Sequence, residues 1–125
     1  MEKESLLFTP YKLGPVTLRN RTIRSAAFES MGKDFGPTRQ LKDYHVAVAR
    51  GGVGMTTLAY AAVCRSGLSF NKQLWLRPEI VPGLREITDA VHREGAAAAI
   101  QIGHCGNMTH WTTAGQMPIG ASAGF

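Results

Sequence analysis

From Gly95 to Phe125, 31 residues pass without one Asp, Glu, Lys or Arg. A solvated surface or tail normally carries charge, so this stretch calls for cover from other parts of a fold. Charged residues make up 18% of the chain, against roughly 25% in ordinary soluble domains. Apolar residues make up 44%, which excludes simple disorder. The length of 125 residues matches one domain of about 100–150 residues.

Several function classes fall away. No apolar run approaches the roughly 18 residues of a membrane span. Glu2 and Glu4 stand where a secretory leader would be basic, and Leu6-Leu7-Phe8 is too short for its apolar core. Two cysteines, Cys64 and Cys105, are too few for a disulfide framework and fit a reducing cytoplasm. The net charge of +5 invites a nucleic-acid reading, but the basic residues are scattered. Only Arg19-Asn20-Arg21 approaches a cluster, so neither nucleic acid nor membrane is expected as a partner.

Strands alternate with helices along the chain. Leu6–Lys12, a Gly14-Pro15 turn and Val16–Leu18 predict a small hairpin. A first core strand is predicted over Thr22–Ala27. Thr38 caps a helix over 39–50 whose apolar face is Leu41, Tyr44 and Val48, and Gly51-Gly52 ends it. Val53–Val63 reads as a strand buried on both faces, and 64–80 as a long loop. Pro82 opens a second helix running to Glu94, with Asp89 and Arg93 spaced to pair and Gly95 closing it. Ala96–Ile102 is a third buried strand, and 103–125 is irregular. Such alternation predicts a parallel α/β sheet. It does not choose between a barrel and an open sheet.

In both architectures chemistry gathers at the carboxyl ends of the strands. Those ends are Ser25–Glu29, Ala59–Cys64 and Gln101–Asn107. Gly51-Gly52-Val53-Gly54 precedes a strand instead of opening a helix, so it is not a phosphate loop.

A specific resemblance emerges from motifs in order. Leu7-Phe8-Thr9-Pro10, Leu13-Gly14 and Leu18-Arg19-Asn20-Arg21-Thr22-Ile23 come first. Tyr44-His45 and Ala49-Arg50-Gly51-Gly52-Val53-Gly54-Met55 come next, then Ile100-Gln101-Ile102-Gly103-His104-Cys105-Gly106, and finally Pro118 with Ala121-Ser122-Ala123. Together they resemble the N-terminal part of the old yellow enzyme family of FMN-dependent oxidoreductases, which includes ene-reductases and 2,4-dienoyl-CoA reductases. The resemblance implies an N-terminal hairpin and the first three βα units of a TIM (β/α)8 barrel. Residues 1–125 would then form part of one FMN-binding domain. It also implies FMN as cofactor, NAD(P)H as reductant and an activated alkene as small-molecule substrate.

The same resemblance assigns cofactor-binding positions. Gln101 matches a glutamine at the flavin pyrimidine edge, where an amide offers both donor and acceptor. The competing reading is a strand-end amide bonded to a loop carbonyl. Ala26, Ala27 and Phe28 match the segment beside the flavin after the first strand. Relatives usually carry a proline first and a polar or thiol residue at the position of Phe28. Phe28 offers a wall without a hydrogen bond, or else is a core aromatic. Tyr60 stands where a small residue is common, so either the register shifts to bring Ala59 or Ala61 there or the pocket differs. Asn107 replaces a common arginine.

Other constellations are weaker. His104, Cys105 and His110 have irregular spacing and no acidic companion, so they read as loop residues and not as a zinc site. Cys64 reads as an inert small side chain, and Glu29 as an exposed loop carboxylate. No catalytic acid or base is assigned, because the family's substrate clamp and proton donor lie in later strands. Three strands cannot close a barrel that needs eight strands and about 200 residues or more. The chain therefore reads as a fragment of a longer enzyme, one subunit of a split barrel or a truncated relative, and its open edges call for a complementary chain or self-association. The alternative to an enzyme part is a truncated, non-catalytic barrel relative acting as a binding or assembly subunit.

Overall fold

A computed structural model describes residues 5–122 of the chain. A 3-10 turn at Leu6–Phe8 leads into a hairpin of β1 (Tyr11–Leu13) and β2 (Val16–Leu18). Then come β3 (Ile23–Arg24), α1 (Arg39–Arg50), β4 (Met55–Ala62), β5 (Leu74–Trp75), α2 (Val81–Arg93), β6 (Ala97–Gly103) and the short α3 (Trp111–Ala114). Further 3-10 turns occupy Arg65–Gly67 and Pro78–Ile80.

Local chemistry sets the helix limits. Thr38 is extended, and its hydroxyl accepts the Leu41 N–H at 3.1 Å, capping α1. The chain reverses at Gly52 with φ +100° and at Gly95 with φ +83°, conformations that favour glycine. Arg19 then fastens both helix ends. Its guanidinium donates to the carbonyls of Ala49, of Glu94 at 2.7 Å, and of Val53 at 3.0 and 3.1 Å. Carbonyls at a helix C-terminus lack intrahelical partners and attract cations. The one basic cluster of the sequence is therefore partly consumed in holding the fold. Asn20 adds a bond from its amide to Gly52 O at 2.6 Å.

β4 is the central strand. It pairs in parallel with β3 (Ile23↔Met55, Arg24↔Thr56), with β6 (Met55↔Ala97 through Ala62↔Gly103) and, at its carboxyl end, with β5 (Ala61↔Leu74). Both helices pack on one side of this sheet, where Leu41, Ala49, Leu58, Ile87, Val91 and Ala96 form the core. Beyond β6 the structure is left open: Ile102, on the same side of the strand as Ala98 and Ile100, is 56% exposed, and in the segment that follows Trp111 is 58%, Met117 76% and Met108 80% exposed. An apolar groove of about 160 Å³ runs along α2 and β6, lined by Leu58, Leu84, Thr88, Ala98, Ala99 and Ile100. The described part of the uncharged stretch thus runs along β6, an edge of the sheet that three strands cannot close, and on into the segment after it.

Several expectations shift. Leu6–Phe8 is a 3-10 turn, so the hairpin starts at Tyr11. The first core strand shrinks from Thr22–Ala27 to Ile23–Arg24, because the backbone beyond Arg24 leaves the ladder and is held by side-chain bonds instead. Segment 64–80 contains β5 as well as loop. The buried face of α1 is Leu41, His45 and Ala49, rotated from the predicted Leu41, Tyr44 and Val48. Asp89 and Arg93 form no ion pair among the described residues. Ala123, quoted for the resemblance, lies outside the described residues.

Candidate functional site

The carboxyl ends of β3, β4 and β6 converge, and the largest correction to the sequence reading sits there. Glu29, expected as an exposed loop carboxylate, has a side chain only 4% exposed. Arg24 Nη1 donates to its Oε1 at 2.9 Å. His45 Nε2 lies 2.9 Å from the same oxygen. The Ala59 N–H donates to its two oxygens at 3.2 and 3.3 Å. A buried carboxylate is tolerated when its oxygens are filled in this way.

The network continues outward. His45 is fully buried on α1, with Nδ1 2.8 Å from Thr56 Oγ1 on β4. Arg24 also donates to Thr57 O at 2.6 Å and Ala27 O at 3.0 Å, and its guanidinium lies 5.1 Å from the Tyr44 ring centre. Arg24 comes from β3, Glu29 from the irregular segment after it and His45 from α1. The signal available in the sequence was the ionisable trio itself, with an arginine in a strand and a histidine on the apolar stripe of α1 at Leu41 + 4.

Pairing between β4 and β6 runs regularly to Leu58↔Ile100 and resumes at Ala61↔Ile102. Ala59 and Tyr60 therefore stand opposite the single residue Gln101, a β-bulge that redirects side chains. The bulge lies at Tyr60 itself. Its ring turns toward the loop after β4, where its hydroxyl donates to Ser69 Oγ. It meets Phe28 edge-on at 5.9 Å. Phe28 in turn stacks on Phe70 at 4.8 Å. Gln73 Oε1 holds that loop by accepting the Ser69 N–H at 2.8 Å and the Phe70 N–H at 3.4 Å, while its buried Nε2 finds no acceptor among the described residues.

The structure thus brings Phe28, Tyr60 and Gln101 to one end of the sheet, with Ala26 and Ala27 in the irregular segment after β3. Phe28 and Tyr60 are occupied with each other and with Phe70. Gln101 is exposed, and its side chain makes no hydrogen bond to a described residue. Beyond it, a Cβ placed on Gly103 would meet nothing within 4 Å. A free amide beside open space fits the edge of a flat heterocycle carrying donors and acceptors. Phe28 supplies an apolar wall and no hydrogen bond.

The His104, Cys105 and His110 side chains serve the loops. His104 Nδ1 accepts the Gly106 N–H at 2.9 Å, so Nε2 carries the hydrogen facing Ser66 Oγ at 3.2 Å. Ser66 Oγ lies 3.1 Å from Cys64 Sγ. His110 caps α3, and Cys105 Sγ donates to Leu68 O at 3.3 Å. No group of three His, Cys, Asp or Glu suited to a metal ion exists among the described residues. No helix among them is long and apolar enough to cross a membrane.

Comparison with known proteins places this geometry. The chain is 48% identical over 100 residues to the 4,4'-dithiodibutanoate disulfide reductase of Rhodococcus erythropolis, covering 80% of this chain and 25% of that one. It is 45% identical over 115 residues to a probable N-methylproline demethylase of Rhizobium meliloti (strain 1021), covering 90% and 17%. The old yellow enzyme homologue from Zymomonas mobilis superposes with TM-score 0.87 at 24% identity, over 96% of this chain and 34% of that one. Morphinone reductase superposes with TM-score 0.81 at 26% identity, over 90% and 30%. The chain therefore spans about a quarter of the length of the first of these relatives and a third of the first solved structure. Its open sheet is the hairpin and first three βα units of the TIM barrel. The profile of the NADH:flavin oxidoreductase / NADH oxidase family matches residues 6–123, and the chain belongs to that family.

Proposed function

We propose that the chain supplies the first three strands of an old yellow enzyme-type oxidoreductase that takes hydride from NAD(P)H and delivers it to an activated alkene. FMN, when bound, supplies the hydride relay between the two substrates. Gln101 holds the pyrimidine edge, donating from its amide nitrogen and accepting at its amide oxygen. Ala26 and Ala27 offer small side chains in the segment after β3. Phe28 and Tyr60 wall the site and exclude water without touching the electronics through a hydrogen bond. The observation that carries this reading is the exposed Gln101 amide, without a hydrogen bond to a described residue, two positions before Gly103, where a Cβ would meet nothing within 4 Å.

The partner is the remainder of the barrel, as a continuation or as a complementary chain. It pairs with the free edge of β6 and fills the Leu84–Ile100 groove, since an open apolar edge is a template for pairing. Two free cysteines suit a cytoplasmic setting. The test is anaerobic mixing of the completed barrel with FMN, NADPH and an enone, with 4,4'-dithiodibutanoate as a second acceptor. A flavin spectrum bleached by NADPH and restored by the enone supports the reading. Restoration by the disulfide alone refutes the alkene assignment, and a colourless barrel refutes the flavin.

A second reading, a non-catalytic barrel relative serving as an assembly subunit, draws on the Phe28–Tyr60–Phe70 cluster, whose rings pack on one another at this end of the sheet. It predicts a stoichiometric partner and no flavin absorbance, which native mass and a visible spectrum separate from the first.

A further inference from the structure

We propose that Glu29 is a positioning residue for the flavin face, holding both walls of the site in place from behind through one buried carboxylate. The inference rests on the flavin reading above and concerns residues that touch no cofactor. β3 stops at Arg24, opposite Thr56. Beyond that point β4 has no strand on this side until β5 joins at Ala61. Glu29 fills the gap by accepting the N–H of Ala59, the first residue of the bulge. The Ala59 N–H faces the edge that β3 has left, as Thr57 O does, and a buried donor there needs a partner. The Glu29 carboxylate is that partner, so it anchors from the opposite edge the residue at which β4 steps against Gln101 of β6.

The same group secures the other wall. Arg24 and Glu29 bracket Ala26, Ala27 and Phe28, and their side chains are joined at 2.9 Å. Arg24 ties this short arch down by donating to Ala27 O and, across to β4, to Thr57 O. His45 completes the clasp from α1 at 2.9 Å, and it is itself fixed to β4 through Thr56. Removing the carboxylate frees the arch and the bulge together, and both are segments that the flavin reading places against the ring. A displacement on the order of 1 Å in a positioned site costs up to about a hundredfold in rate.

The experiment uses the FMN-loaded barrel in which this chain supplies the first strands. Glu29→Gln keeps the size and one acceptor oxygen, and Glu29→Ala removes the group. Ile87→Ala, in the helix-facing core, is a control that lowers stability without touching the clasp. Glu29→Gln is expected to weaken FMN binding about tenfold. The visible circular dichroism of the bound flavin should change, and hydrogen exchange should rise at the amides of 26–30 and 59–60. Ile87→Ala should leave the flavin spectrum unaltered. If both Glu29 variants bind FMN with wild-type affinity and spectrum and lose only melting temperature, Glu29 is structural alone and the proposal is overturned. A colourless wild-type barrel overturns instead the flavin reading on which the proposal stands.

Discussion

Gly54→Ala is a sharp test of the packing at the amino end of the sheet. A Cβ on Gly54 would lie 2.5 Å from Asn20 O, and 3.0 Å from both Asn20 Oδ1 and Thr22 O. Two of these three atoms are backbone, so the chain must move by nearly 1 Å to reach ordinary contact at about 3.4 Å. Little there is free to move. Asn20 is tied to Gly52 O and Thr22, the Gly54 and Met55 N–H groups both donate to Thr22 O, and Ala97 N donates to Gly54 O. Overpacking of a fixed site costs about 1–3 kcal/mol. With a urea m-value of about 1–3 kcal/mol/M, the midpoint should fall by roughly 1 M. Urea titration monitored by far-ultraviolet circular dichroism on the completed barrel measures the change. A Gly54→Ala midpoint equal to that of the wild type would refute the close packing inferred for this junction.

The same geometry sets other expectations. Leu58→Ala removes a side chain 2% exposed at the centre of the helix-facing core and should cost about 2–5 kcal/mol in the same titration. Thr38→Ala loses the cap on Leu41 N and the bond to Met31 O, for about 1–2 kcal/mol, whereas Thr38→Ser should retain most of it. Tyr60→Phe removes the hydroxyl that holds Ser69. It should raise hydrogen exchange across residues 66–72 with a loss of only about 1 kcal/mol.

Both long helices and the central strand were legible because their signals are local. Thr38, Gly52, Pro82 and Gly95 each act within a turn of where they stand, and Val53–Val63 needs only its own composition to read as a buried strand. The buried face of α1 differs from the apolar stripe because His45 is polar, and an apolar periodicity passes over a histidine that satisfies its ring nitrogens on Glu29 and Thr56. The burial of Glu29 escapes the sequence for the same reason seen from the other end. A carboxylate on a loop is ordinarily solvated, and His45 and Ala59, which bury it, are 16 and 30 positions away. The bulge at Ala59-Tyr60 carries no glycine to announce it. The extra residue shows only in the pairing of β4 with β6, which no local signal at Tyr60 encodes. Strand and helix alternation alone never distinguished barrel from open sheet; motif order did, and the superposition on solved barrels agrees with it.

The most direct measurement of the central claim is an FMN fluorescence titration of the chain before and after it is joined to the rest of the barrel. Residues 1–125 alone should show no saturable binding, and the completed barrel should saturate at one FMN. Gln101→Ala should weaken that affinity about tenfold or more. A completed barrel that leaves FMN fluorescence unchanged, or a Gln101→Ala barrel that binds as tightly as the wild type, would contradict the claim.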